Sequence, residues 1–148
     1  MKCVFLISCG KRKQSSAVPA KELYISPRFQ RARELVEATD CSWFVLSAKH
    51  KLLSPCEKTK PYDEALNTKS TEECKDWAMK VTEQMDARLS PDAEAIVILA
   101  GERYYEHLVP YLEERFGHAN VKIPMKGMGD DEQLKWLKNA SVKDILPW

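Results

Sequence analysis

The residues able to do chemistry crowd into one stretch, Ser47–Asp63, which reads SAKHKLLSPCEKTKPYD. It follows the apolar run Trp43–Leu46, so a buried strand empties into a loop carrying Ser47, Lys49, His50, Cys56, Lys60, Tyr62 and Asp63. In α/β proteins such loops hold much of the chemistry, because a rigid strand fixes one end of a variable segment. Lys49 comes directly off the strand and reads either as a ligand-facing cation or as a surface lysine. Cys56 lies between Pro55 and the cations Lys58 and Lys60, and nearby positive charge enriches the thiolate. As a nucleophile it needs an acid/base partner, for which His50 or Asp63 serves; otherwise it is an incidental loop thiol. Tyr62 and Asp63 follow Pro61 on a rigid turn, where Asp63 is either a general base or only a cap of that turn.

A second group sits far away in sequence. Ser8-Cys9-Gly10-Lys11-Arg12-Lys13 follows another apolar run, Val4–Ile7. A glycine followed at once by three cations suits a phosphate-holding turn, although the P-loop pattern is absent; the alternative is a solvated basic loop. A third group, Gly101–Tyr105, follows the apolar run Ala95–Ala100. Tyr104 and Tyr105 are adjacent, so they diverge on a helix and one of them is expected in the core. Gly127 and Gly129 precede Asp130, Asp131 and Glu132. Those carboxylates satisfy the helix dipole themselves and repel phosphate, which favours a structural turn.

The elements that must position these groups alternate. Strands are expected at Lys2–Cys9, Ser42–Ser47, Ala95–Ala100 and Val121–Pro124. Ser26-Pro27 marks a helix start whose buried stripe is Phe29, Ala32, Leu35 and Val36. Ser70 and Glu73 form a capping box before a helix that buries Cys74, Trp77, Ala78, Val81 and Met85. Glu102–Phe116 reads as helical, with Pro110 kinking or restarting it, and a last helix covers Asp130–Asn139. Gln14–Ala20 and Ser54–Lys69 read as loops. This order predicts one α/β domain over 1–148, three-layered, with a mainly parallel sheet and helices on both faces. The loops after parallel strands open on one sheet edge, so Cys9–Lys13, Ser47–Asp63, Gly101–Tyr105 and Lys126–Gly129 should converge.

Composition narrows the partners. The chain is 44% hydrophobic and 30% charged with a net charge of +1, so no global field favours nucleic acid or a membrane surface. No apolar run approaches the roughly 18 residues that span a bilayer. The N-terminal apolar run is too short for a signal peptide and leads into cations, so it reads as the first strand. Five cysteines without a CxxC pair argue against structural zinc and against a disulfide framework, and a reduced, cytoplasmic setting follows. Cys3, Cys41 and Cys74 read as small buried hydrophobes.

Two resemblances add to this. SCGKRK, LYISPRF, LSAKHKLLSP, PYD and LAGERYY, taken together, are similar to small bacterial and phage domains of the YaaA-type peroxide-stress proteins. That resemblance implies links to DNA and oxidative stress, although the helix-hairpin-helix insertion of those proteins has no counterpart here. Pro55–Tyr62 resembles the PCxxxKPY motif of archaeosine synthase core domains, which implies chemistry on a modified nucleobase. The serine and histidine that extend that motif are not matched.

The expected function is therefore an enzyme, a hydrolase or a transferase, acting on a nucleobase, nucleotide or modified base. Lys49, Asp63, Tyr62 and Cys56 are the catalytic candidates. Cys9, Lys11, Lys13, Ser47, Gly101 and Tyr104 are the substrate-binding candidates. No metal site is expected, and the cofactor stays unknown. The alternative is a non-catalytic nucleic-acid-binding stress or defence protein. The expected partner is a nucleotide-like molecule or nucleic acid, without a membrane, and the oligomeric state stays open.

Overall fold

The computed structural model describes residues 2–148. Its frame is a five-stranded sheet built on the apolar runs. β1 (Cys3–Ser8), β3 (Ser42–Ser47) and β6 (Ala95–Leu99) are its central strands, and β4 (Lys51–Leu53) and β7 (Val121–Lys122) are its edges. The order is β4-β3-β1-β6-β7. β1 pairs in parallel with both β3 and β6, in register Leu6↔Phe44 and Leu6↔Ile98. Every residue of β1 and β6 is buried, as expected of parallel strands covered on both faces. Full burial of side chains such as Phe5, Leu6, Ile7 and Ile98 stabilises the fold by about 1.5–3 kcal/mol each.

β4 departs from that pattern. It pairs antiparallel with β3, Ser47 opposite Lys51, so Ala48-Lys49-His50 is the turn of a tight hairpin. Lys51, with φ 65°, takes the left-handed backbone that closes it. The apolar pair Leu52-Leu53 is thus an edge strand.

The helices follow their sequence signals. α2 (Pro27–Glu37) begins at Ser26-Pro27 and buries Phe29, Ala32, Leu35 and Val36. α3 (Thr71–Arg88) opens on the Ser70–Glu73 capping box and buries the five expected residues. Pro110 breaks the helical stretch into α4 (Glu102–Tyr105) and α5 (Val109–Phe116), because proline has no N–H to continue the ladder. α6 (Asp130–Asn139) follows, then a short α7 (Val142–Ile145). Arg31 of α2 donates to the carbonyls of Leu137 and Ala140 at 3.0 and 2.9 Å. It satisfies the free C-terminal end of α6 and locks the two helices together.

Two stretches expected as loops hold regular structure. β2 (Val18–Pro19) pairs antiparallel with β5 (Lys58–Thr59), next to α1 (Ala20–Leu23). Two-residue strands carry too short a pattern to be read in sequence. Among the described residues no helix is long and apolar enough to cross a membrane.

Candidate functional site

The sheet order creates a switch point. The chain leaves β1 for β3 on one side and later places β6 on the other. Between the carboxyl ends of β1 and β6 the neighbouring connections diverge, and ligands of open α/β sheets bind there. A crevice of about 570 Å³ opens at this place, within the size range of small-molecule sites.

Five elements build its walls. The end of β1 gives Ser8, Cys9, Gly10, Lys11 and Arg12. The start of α2 gives Ser26, Pro27 and Arg28. The end of β6 and α4 give Gly101, Glu102, Arg103 and Tyr104, and the start of α6 gives Gly129, Asp130, Asp131 and Gln133. Glu64, Ala65 and Asn67 close the remaining side. The approach of β1 to α2 is close: a Cβ on Gly10 would lie 2.4 Å from Ser26 Oγ.

The polar atoms here are unevenly satisfied. Arg28 donates through Nη2 to the carbonyls of Ser8 and Cys9, both at 3.0 Å, yet its Nη1 is buried with no partner. Ser26 Oγ caps nothing and has no partner. Arg103 donates through Nη2 to the carbonyls of Leu66 and Lys69, leaving Nε unpaired. Gln133, 2% exposed, donates from Nε2 to the Met128 carbonyl at 2.9 Å, which leaves Oε1 without a partner. An unpaired buried polar atom costs about 1–3 kcal/mol, and native structures hold few of them. Four such atoms belong to residues that line this one crevice.

Burial draws the Arg28 guanidinium below its ordinary value, while Asp130 across the crevice favours its charge. At the floor, Cys9 Sγ lies 3.4 Å from Tyr104 OH. Burial, and after it the neighbouring Cys9, pushes the Tyr104 phenol well up, so Tyr104 stays protonated and serves as a hydrogen-bonding group rather than a base.

Of the ten residues singled out in the sequence, Cys9, Lys11, Gly101 and Tyr104 line this crevice. Ser47, Tyr62 and Lys13 meet elsewhere. Tyr62 OH lies 2.7 Å from Ser47 Oγ and 2.6 Å from Tyr24 OH. Ser47 Oγ also accepts from the His50 backbone N–H at 2.9 Å. The ammonium of Lys13 sits over the Tyr62 ring, 4.5 Å from its centroid. Burial is the first cause that pushes the phenols of Tyr24 and Tyr62 up, and Cys9 is the second for both. This hydroxyl cluster joins the basic turn, β3 and the loop after β5.

Lys49, Cys56 and Asp63 are exposed and outside the crevice. Lys49 is on the hairpin turn and Cys56 on the turn before β5. Among the described residues no three His, Cys, Asp or Glu side chains are grouped to hold a metal ion. Tyr104 and Tyr105 are both buried, 8% and 5% exposed. α4 is a single turn of four residues, and its two rings go to different tasks: Tyr104 to Cys9, and Tyr105 OH to the Gly127 backbone N–H at 3.4 Å. Sequence reasoning did not single out Ser26, Arg28, Arg103 and Gln133. A signal existed for two of them: Arg28 stands at i of Ala32 and Leu35, and Gln133 at i of Leu137, so each places a polar group on a buried helical face.

Comparison with known proteins gives a family and a relative. The family of unknown function DUF6884 matches residues 4–139, from β1 to the end of α6. The chain is 29% identical over 139 residues to the uncharacterized protein YfjM of Bacillus subtilis (strain 168), covering 87% of this chain and 89% of that protein. No solved structure matches.

Proposed function

We propose, for a chain that belongs to the DUF6884 family, that the crevice between β1 and β6 is the active site of an enzyme acting on a nucleobase, nucleotide or modified base. One observation carries the reading: four residues that line one crevice, Ser26, Arg28, Arg103 and Gln133, each hold a buried polar atom without a partner. Guanidinium groups match phosphate and carbonyl oxygens, and an amide oxygen accepts from the N–H edge of a heterocycle. The crevice is sized for a nucleotide, and Tyr104 offers an aromatic wall. The resemblance of Pro55–Tyr62 to the archaeosine synthase motif points to the same substrate class, although that segment lies outside the crevice. The domain is read as three-layered in the same proposal, since α2 packs with α6 and α7, while α3 packs with α4 and β4.

Thermal-shift screening of the full chain against nucleobases, nucleosides, nucleotides and deazaguanines tests it. A ligand that binds the folded state raises the melting temperature. The expected result is a stabilising compound whose effect is lost in Arg103→Met and kept in Lys49→Ala. A response lost in Lys49→Ala and kept in Arg103→Met would move the site to the hairpin turn. Binding only to oligonucleotides, steeply weakened by salt, would favour the non-catalytic nucleic-acid-binding reading instead.

A further inference from the structure

Two helix N-termini face the crevice, and their chemistry is opposite. α2 has no acidic residue in its first turn. Pro27 has no N–H, and the N-cap Ser26 leaves those of Arg28 and Phe29 uncapped by its side chain, while its own Oγ is unpaired. Arg28 stands one residue inside the same helix, with Nη1 unpaired. Backbone N–H groups, a hydroxyl and a guanidinium at a positive helix end are an anion cradle. α6 carries Asp130, Asp131 and Glu132 in its first turn. Those carboxylates reject an anion, and Gln133 beside them presents an acceptor, Oε1, with nothing to accept from. The amide is not free to turn over, because its Nε2 is held by the Met128 carbonyl.

We propose that the crevice binds a phosphate monoester in one orientation, its phosphate on Ser26 and Arg28 and an N–H or O–H donor edge on Gln133 Oε1. The inference rests on the nucleobase reading above, which makes the ligand a nucleoside monophosphate. The balance of charge limits the number of phosphates. The lining cations Lys11, Arg12, Arg28 and Arg103 are matched by Glu64, Glu102, Asp130 and Asp131. A site of that balance favours a ligand with one phosphate over a polyphosphate, because Asp130, the carboxylate that acts on Arg28, repels further negative charge. Gly10 supports the assignment: only a residue without a side chain lets the β1 turn come this close to Ser26.

Calorimetric titration of the full chain separates the two ends. The probes are inorganic phosphate, the four common nucleosides and their 5′-monophosphates. The expected result is that one monophosphate binds at least about tenfold more tightly than its nucleoside, as a hydrogen-bonded charge allows. Ser26→Ala, which removes an atom without a partner and so leaves the apo fold intact, abolishes most of that gain and leaves the nucleoside unchanged. Gln133→Met weakens nucleoside and monophosphate by the same factor and leaves inorganic phosphate unchanged. Should Gln133→Met fail to fold, N-methylation of the donor edge of the best-binding base gives the same readout from the ligand side. Monophosphates no tighter than their nucleosides overturn this inference while leaving the nucleobase reading standing. No binding by any probe overturns both. A phosphate gain that survives both Ser26→Ala and Arg28→Lys removes the phosphate from α2.

Discussion

Gly10→Ala tests whether the β1 turn and the start of α2 meet as tightly as the structure places them. The added methyl carbon would sit 2.4 Å from Ser26 Oγ and 3.3 Å from Ser26 Cβ, against the ~3.5–4.0 Å of an ordinary contact between carbons. Rotating the hydroxyl relieves the first contact and leaves the second. Ser26 itself cannot swing away, since Pro27 restricts the residue before it to the extended backbone it already has, φ −66°, ψ 143°. The end of β1 or the start of α2 must move, and overpacking of this kind costs about 1–3 kcal/mol. Gly10 is not among the glycines with positive φ, so no backbone strain is added. Loss of glycine's freedom in the unfolded chain returns about 0.4–1 kcal/mol. The net expectation is a destabilisation of about 1–2 kcal/mol, read from urea unfolding followed by tryptophan fluorescence. Ser26→Gly removes both clashing atoms and, as an N-cap, costs only about a few tenths of a kcal/mol. The double variant should therefore recover to within about 0.5 kcal/mol of the natural chain, a coupling of the size seen for residues in contact. A neutral Gly10→Ala, or a double variant no more stable than the single one, would refute the close approach and with it the shape of the anion cradle.

Tyr62→Phe removes the hydroxyl that lies 2.6 Å from Tyr24 OH and 2.7 Å from Ser47 Oγ; leaving the buried Tyr24 hydroxyl unpaired should cost about 1–3 kcal/mol in chemical denaturation. His50 should titrate below its ordinary 6.5 by NMR, because burial and then Lys49 disfavour its charge. Lys49→Ala should move that pKa up without restoring it, since burial is the larger cause. With the folded pKa below the unfolded one, the unfolded chain binds more protons between them. The His50 contribution to stability is complete above the ordinary histidine range and lost as pH falls through the folded pKa. A His50 that titrates at or above the ordinary value would contradict its placement. Cys3 and Cys41 stand side by side at the start of β1 and β3, their sulfurs 3.1 Å apart, and burial first of all raises the Cys3 thiol to about 12. Hydrogen peroxide should oxidise the half-buried Cys41, and Cys3 should then displace water to close a disulfide. Thiol titration should fall from five free cysteines by that pair, and Cys41→Ser should prevent it.

The frame was legible because its strands are short apolar runs that end in polar turns. Val4–Ile7, Trp43–Leu46 and Ala95–Ala100 each announce a strand buried on both faces, and the Ser26-Pro27 and Ser70–Glu73 signals mark the starts of α2 and α3. Strand order was not legible, since no residue in β1 records which neighbour lies left or right. The hairpin was missed for a related reason. Lys51-Leu52-Leu53 is too short to show alternation, and nothing in it says whether it returns antiparallel beside β3 or merely plugs a loop. That one ambiguity decides where Lys49 goes. A parallel strand's loop would have carried it to the crevice; a tight hairpin turn leaves it exposed on the far side of β3 from β1.

The same geometry explains what the reactive-looking stretch does. Tyr62 is drawn inward by Ser47 and Tyr24, so the chain that follows is delivered, at Glu64, Ala65 and Asn67, onto the open side of the crevice. Arg103 then ties that delivered segment down, donating through Nη2 to the carbonyls of Leu66 and Lys69, with Nε buried and unpaired. One guanidinium thus holds the wall with one nitrogen, and in the proposed site its other N–H groups are left for a ligand. A ligand oxygen on Nε would fix the plane of the guanidinium, and that plane sets the two carbonyl bonds holding the wall. Residues 47–63 therefore matter to the site through position. They place a wall of the crevice, and in the proposed site the side chains that would touch a ligand come from the helix starts on either side.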